Sequence, residues 1–210
     1  MLNKKIGITF IGDSIMSFKK NSPATSWLNL VSKKMKTKLK NKIIINAKQI
    51  VGLNTRGLLN IISDYYLSIN KKDILVIQIG INDSWHYKSL GGIAEVSLSS
   101  FKKNLAEIVK KSKISGFKYM IFINYHKLLN NRIEVNKKTI NFNLNKYNKE
   151  IKLFCKRKNI NLINIRNKNF KPKNYCLPMP DGVHLNHFGA KFYSKVIFKY
   201  ILDFIYEKKL

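Results

Sequence analysis

The stretch Ile6-Gly7-Ile8-Thr9-Phe10-Ile11-Gly12-Asp13-Ser14 decides how the chain begins to fold. Its first six residues form a short apolar run rich in β-branched side chains, which favours a buried β-strand. Gly12 ends the run, and Asp13 and Ser14 are residue types typical of turns and helix caps. Because Asp13 interrupts the apolar run and no small-residue cleavage site follows, we interpret the segment as a strand rather than a signal peptide.

Strand-like runs and helical patterns alternate along the rest of the chain. We predict further strands at Ile43–Ile45, Ile74–Ile79, Tyr119–Ile123 and Ile160–Ile165. Between the strands, apolar residues recur at helical spacing, and Ser22 and Pro23 have the composition of the first helix start. This alternation predicts an α/β fold, a three-layer α/β/α sandwich around a flavodoxin-like, five-stranded parallel sheet of strand order 2-1-3-4-5. With no linker or repeat in sight, we expect residues 1–210 to form one domain.

The chain is strongly basic, with 40 Lys and Arg residues against 11 Asp and Glu and a net charge of +29. Such a charge suits a polyanionic partner. However, the basic residues are nearly all Lys, scattered over every segment, and Asn and Ile are also abundant, which is the bias of an AT-rich coding sequence. We therefore interpret the charge as compositional and expect no specific nucleic-acid partner. No stretch approaches the roughly 18 apolar residues of a membrane span, so we expect a cytoplasmic protein.

Metal and nucleotide motifs are missing from the sequence. Cys155 and Cys176 form no CxxC pair, and His86, His126 and His187 lack the spacing of metal ligands. No phosphate-binding glycine loop is present either. We predict neither a metal nor a cofactor.

Four polar segments are expected to meet at the carboxyl edge of the sheet, where ligands bind in such folds. They are Gly12–Ser14, Gly52–Thr55, Gly80–Asp83 and Asp181–His184. Each of them alone is compatible with ordinary turn or cap chemistry. Their order along the chain and their shared edge favour a common site.

The combined pattern resembles the SGNH (GDSL) hydrolase family. The blocks that carry the resemblance are Phe10-Ile11-Gly12-Asp13-Ser14, Val51-Gly52-Leu53-Asn54-Thr55, Gln78-Ile79-Gly80-Ile81-Asn82-Asp83 and Asp181-Gly182-Val183-His184-Leu185-Asn186-His187-Phe188-Gly189. The resemblance extends from residue 7 to about 200. The second block is the weakest, because Leu53 stands where many family members carry a polar residue.

The resemblance implies a serine hydrolase in which Ser14 is the nucleophile, His184 the base and Asp181 the group that orients the imidazole. This assignment is chemically coherent, because a serine hydroxyl needs a base and imidazole titrates near neutral pH. The oxyanion hole is expected to consist of the backbone N–H groups of Ser14 and Gly52 and the side-chain amide of Asn82. The G-x-S-x-G elbow of the α/β-hydrolases is missing.

Four neighbouring residues are further candidates for substrate binding. Asp13 and Asp83 flank the site residues and are also expected to tie the loops together. Trp85 and His86 follow the Asn82 block and should border the pocket, although Trp85 could equally well pack its loop onto the core.

The expected activity is cleavage of carboxylic esters. O-acetyl groups on a carbohydrate or another small molecule are the first candidate substrates. A short-chain acyl thioesterase or lysophospholipase-like esterase is the alternative within the family. An alternative of another class is a non-catalytic, Lys-rich module that binds nucleic acid or an acidic surface.

Overall fold

A computed structural model of the chain describes residues 5–16, 26–87, 91–134, 137–167 and 169–210. Five parallel strands form one sheet in the order β2-β1-β3-β4-β5. The strands are β1 (Ile6–Gly12), β2 (Ile43–Gln49), β3 (Ile74–Gln78), β4 (Tyr119–Ile123) and β5 (Asn161–Ile163). The predicted fold class and strand order are confirmed.

Within the described residues, six α-helices connect and follow the strands. They are α1 (Trp27–Leu39), α2 (Thr55–Leu67), α3 (Leu98–Ile114), α4 (Ile140–Lys158), the short α5 (Pro172–Tyr175) and α6 (His187–Glu207). Polar caps start the longer helices: the side chains of Asn54 and Asn186, for example, accept hydrogen bonds from the backbone N–H groups of Gly57 and Gly189. Helix α1 begins after Ser26, whereas the predicted start at Ser22 and Pro23 lies outside the described residues.

The sheet is buried on both faces because consecutive strand residues point to opposite sides. Phe10 and Val76 pack into a core with α1 and α6, while Ile11 and Ile77 pack into a second core with α2, α3 and α4. Among the described residues, no helix is long and apolar enough to cross a membrane.

Some predicted boundaries were wrong. β2 extends four residues beyond Ile45 to Gln49, since it is an edge strand whose half-exposed polar residues carry no apolar signal. β5 is shorter than predicted and covers Asn161–Ile163 only, and α5 was not predicted.

Candidate active site

The carboxyl ends of three neighbouring strands are aligned in the sheet, and they determine where the candidate site lies. Gly12 of β1 is in register with Gln78 of β3, and Gln78 is in register with Ile123 of β4. The chain segments that follow these strands enclose a cavity of about 350 Å³. The residues that line it are Ser14, Ile15, Val51, Gly52, Ile81, Asn82, Trp85, Tyr87, Asn130, Arg132, Pro180, Asp181, Val183 and His184. All four polar segments singled out in the sequence thus contribute to one cavity.

Ser14, His184 and Asp181 form a continuous chain of hydrogen bonds in the cavity wall. The Ser14 hydroxyl lies 2.9 Å from His184 Nε2, and His184 Nδ1 lies 2.8 Å from Asp181 Oδ2. Since Nδ1–H donates to the carboxylate, Nε2 is left as the acceptor for the serine proton. Ser14 itself is only 7% exposed, and what exposure it has is to this cavity.

The Asp181 carboxylate is held in its charged form. Its Oδ1 accepts the backbone N–H groups of Val183 and His184, both at 2.8 Å, while Oδ2 receives the imidazole N–H. Partial burial alone would raise the pKa of Asp181, but these hydrogen bonds outweigh burial and lower the pKa. A carboxylate that stays ionised can stabilise an imidazolium on His184.

The loop that carries Asp181 and His184 is fixed by two residues from the segment after β4. The Asn130 side-chain amide donates to the carbonyl oxygens of Pro180 and Asp181 at 3.3 and 3.2 Å, and its backbone N–H donates to Gly182 O at 2.9 Å. Gly182 has a φ of 60°, and a Cβ there would come within 2.6 Å of Asn130 N. Only glycine therefore allows the loop to approach so closely.

His126 also holds the loop that carries Asp181 and His184. Its buried ring donates from Nε2 to Val183 O at 3.1 Å and accepts the Tyr193 hydroxyl proton at Nδ1, 2.6 Å away. Burial lowers the pKa of His126 to about 3, which keeps the ring neutral. The sequence raised His126 only as a candidate metal ligand and gave no prediction for Asn130. Both lie in the irregular segment that follows β4, and its place after a strand end at the ligand-binding edge is a weak signal that does not single out either residue.

The predicted oxyanion donors lie together on the cavity wall. Gly52 adopts a φ of 75°, in the left-handed region that favours glycine, at the turn between β2 and α2. The Asn82 amide donates from Nδ2 to Leu53 O at 2.9 Å, and its Oδ1 accepts the Trp85 indole N–H at 3.3 Å. Two hydrogen bonds therefore link the Gly52 turn, Asn82 and Trp85 within the wall of the cavity that Ser14 also lines.

Asp13 and Asp83 are buried, and neither is among the residues that line the cavity, which favours their expected role in tying loops together over substrate binding. Asp13 accepts hydrogen bonds from the Ile15 backbone and the Tyr125 hydroxyl, which fixes the turn around Ser14. Asp83 accepts the backbone N–H of Thr55 at 3.0 Å, which ties the β3 loop to the start of α2. Burial raises their pKa values to about 7 for Asp13 and about 6 for Asp83, despite these hydrogen bonds. Their expected role in tying loops together agrees with these contacts.

Trp85 and His86 differ in position. Trp85 lines the cavity, whereas His86 is not among its lining residues, and His86 Nδ1 lies 3.0 Å from Ser84 O and 3.5 Å from Glu134. His86 therefore braces the loop, because its ring is engaged with protein groups. Among the described residues, no group of three or more His, Cys, Asp or Glu side chains could hold a metal ion.

Comparison with known proteins identifies a family. The family model described as GDSL-like Lipase/Acylhydrolase matches residues 8–197. No curated protein matches the chain in sequence.

Many solved structures share the fold. An acetyl xylan esterase, AlAXEase, superimposes with a TM-score of 0.75 at 23% identity, over 93% of this chain and 100% of that one. The acetylxylan esterase Axe2 from Geobacillus stearothermophilus has a TM-score of 0.73 at 20% identity, over 95% of both chains. LAE5, an alpha/beta hydrolase from the metagenome of Lake Arreo, Spain, has a TM-score of 0.73 at 16% identity, over 94% of this chain and 96% of that one. At these identities the likeness establishes the fold.

Proposed function

The chain belongs to the GDSL-like lipase/acylhydrolase family, whose members are carboxylic ester hydrolases, and we propose that it removes O-acetyl groups from a carbohydrate through an acyl-enzyme on Ser14. The observation that carries the proposal is the unbroken hydrogen-bond chain from Ser14 through His184 to Asp181 in the wall of a cavity. This cavity is lined by residues as far apart in sequence as Ser14 and His184. Such a spread supports the proposal that residues 1–210 form one hydrolase domain.

The geometry supports a two-step acyl transfer. Ser14 Oγ attacks the ester carbonyl while its proton passes to His184 Nε2, and the tetrahedral intermediate then expels the alcohol, which takes that proton. A water molecule, deprotonated by His184, next attacks the acyl group on Ser14, and acetate leaves as the serine regains its proton. Throughout, the Asp181 carboxylate stabilises the positive charge on the imidazole.

The negative charge on the carbonyl oxygen requires donors in the cavity. Asn82 and Gly52 lie in its wall, and the backbone N–H of Ser14 completes the proposed set. Such donors act most strongly when they are held in place before the charge forms, which the contacts of Asn82 with Leu53 and Trp85 achieve.

The lining of the cavity supports a sugar ester as substrate. An aromatic face from Trp85 lies beside polar side chains from Asn130, Tyr87 and Arg132. This combination suits a sugar, because its C–H face can pack on an indole while its hydroxyl groups bind polar residues. Two structural neighbours, AlAXEase and Axe2, are named as acetyl xylan esterases.

The proposal is tested by labelling and turnover on the purified protein. A fluorophosphonate probe should label wild type stoichiometrically at Ser14, and Ser14→Ala should lose labelling and nearly all hydrolysis of p-nitrophenyl acetate. Acetate release from acetylated xylo-oligosaccharides should exceed the hydrolysis of short-chain acyl thioesters and lysophospholipids, and EDTA should have no effect. Retention of more than a few per cent of the rate by a folded Ser14→Ala protein would exclude the mechanism. A preference for thioesters or lysophospholipids would exclude the sugar substrate.

A further inference from the structure

Arg132 is an exposed cation at the catalytic cavity. It lines the same cavity as Ser14 and Asn82, and it comes from the segment between β4 and α4 that also supplies Asn130. The proposed acyl transfer gives Arg132 no role, since both the proton carriers and the oxyanion donors are other groups.

The position of Arg132 is fixed by its backbone and its side chain together. Its backbone N–H donates to Asn130 Oδ1 at 3.2 Å, and its carbonyl accepts from the Ile140 N–H at 3.2 Å. Its guanidinium carbon lies 5.6 Å from the centre of the Trp85 ring, within the range of a cation–π contact. The Trp85 ring thereby contacts the guanidinium without taking up its N–H donors as a conventional hydrogen-bond acceptor would.

Arg132 forms no ion pair with the described residues. Among the described residues, no carboxylate lies within 4.0 Å of its guanidinium, and no protein acceptor binds its side-chain N–H groups. In contrast, Arg157 pairs with Glu150 at 2.5 Å and Arg166 donates to the His126 carbonyl at 3.1 Å. Asp181, the carboxylate in the cavity wall, is fully engaged by Val183 and His184.

From these contacts we propose that Arg132 binds an anionic group of the substrate, so that the ester cleaved at Ser14 is carried by an acidic sugar. The proposal rests on the proposed function, and it narrows the substrate class from acylated carbohydrates to those bearing a carboxylate or a phosphate. Arginine is well suited to this task, because its planar fork of N–H donors matches the oxygens of either group in a bidentate manner. The contact with the Trp85 ring restricts the guanidinium before the substrate arrives, which reduces the entropy lost on binding.

A test must distinguish binding by Arg132 from general attraction, since a protein with a net charge of +29 attracts any anion. Lys36 provides a matched control. It is an exposed cation in the last turn of α1, just before the chain enters β2. It therefore lies near the amino ends of the strands, whereas the cavity lies at their carboxyl ends. Lys36→Gln and Arg132→Gln each remove one positive charge, but only the second changes the cavity.

The experiment compares two substrates that differ in one charge, an acetylated methyl glucuronide and the primary amide of the same compound. We expect wild type to have a kcat/KM for acetate release about 10- to 100-fold higher on the carboxylate, the range of a charge-assisted hydrogen bond. Arg132→Gln should bring this ratio close to one, whereas Lys36→Gln should keep it. Arg132→Lys should restore only part of it, because a lysine cannot form the bidentate pair. A ratio that survives in Arg132→Gln, or a ratio of one in wild type, would overturn the proposal.

Two further arms separate the possible outcomes. Acetylated glucose 6-phosphate, compared with acetylated glucose, decides whether phosphate or carboxylate is the preferred anion. If no sugar ester releases acetate, the proposed function fails, and Arg132 is then tested by inhibition of p-nitrophenyl acetate hydrolysis. Glucuronate and glucose 6-phosphate should inhibit wild type at least tenfold more strongly than glucuronamide and glucose do, and this difference should disappear in Arg132→Gln. Equal inhibition by the charged and the neutral compounds would overturn the anion site on its own.

Discussion

The indole N–H of Trp85 lies 3.3 Å from Asn82 Oδ1 and fixes which end of the Asn82 amide faces the cavity. With the oxygen engaged by Trp85, the nitrogen of the amide is the end that donates to Leu53 O, at 2.9 Å. An amide nitrogen carries two N–H groups, and the second has no acceptor among the described residues. This arrangement supports Asn82 as a donor to the developing oxyanion.

Asn82→Ala should lower kcat by about 100-fold or more with only a modest change in KM, because the donor acts mainly once charge has formed on the substrate oxygen. Steady-state kinetics and a melting curve on the same sample provide the test. Ser97→Ala, which removes the cap that accepts the Ser100 N–H at the start of α3, is a control for a purely structural loss. If Asn82→Ala behaves like this control, with a lower melting temperature and a near-normal kcat, Asn82 only stabilises its turn.

Trp85→Phe should lower kcat by about tenfold while leaving KM for p-nitrophenyl acetate within a factor of about two. Phenylalanine keeps an aromatic ring in the loop but lacks the N–H that orients Asn82, so the loss should be of the order of one neutral hydrogen bond. The double variant Trp85→Phe with Asn82→Ala should be no slower than Asn82→Ala alone, because the indole acts through the amide. Additive losses in this cycle would mean that Trp85 acts independently of Asn82.

The sequence predicted the strand order because the alternation of strand-like and helical patterns is a strong local signal. The assignment of Ser14, Asp181 and His184 instead came from the family resemblance, since their spacing alone would not pair them. Apolar runs ending in Gly12-Asp13-Ser14 and Gly80-Ile81-Asn82-Asp83 mark the carboxyl ends of central strands. The supporting residues gave no such signal: Asn130 and Arg132 lie in an irregular segment, and their contacts with Asp181 and Trp85 cross long sequence separations. The sequence also did not reveal that Asp13 and Asp83 are buried, since an aspartate in an exposed turn and a buried aspartate that binds a neighbouring loop can have the same local sequence.

His126 should act as a positioning residue for His184. His126→Phe removes the donor to Val183 O and should lower kcat by about tenfold, whereas His126→Gln, which retains an N–H donor, should recover part of the rate. Because burial lowers the pKa of His126 to about 3, the ring is neutral above about pH 4, and neither variant should change the shape of the pH–rate profile. A profile displaced along the pH axis would show that His126 titrates in the working range. Equal kcat values for His126→Phe, His126→Gln and wild type would exclude the positioning role.

Asp13 should make the folding stability depend on pH. Burial raises its pKa from 3.8 to about 7, even though the Tyr125 hydroxyl and the Ile15 N–H both donate to the carboxylate. Between these two pKa values the folded protein keeps a proton that the unfolded chain releases. The contribution of Asp13 is therefore fully present below the lower value and is lost as the pH rises towards about 7, by about 1.4 kcal/mol per pH unit within the window.

Asp13→Asn isolates this contribution because the amide cannot ionise and still fits the space of the carboxyl group. We expect the free energy of unfolding of the variant, minus that of wild type, to rise by about 2 kcal/mol between about pH 5 and pH 7, measured by urea denaturation in steps of pH. Asp64→Asn, on the exposed side of α2, removes the same charge from a solvated position and serves as the control for the loss of one carboxylate. A flat difference for Asp13→Asn would mean that the buried carboxyl is already ionised at about pH 5 in the folded protein. The hydrogen bonds from Tyr125 and Ile15 would then outweigh burial, and the turn that presents Ser14 would rest on a buried charge.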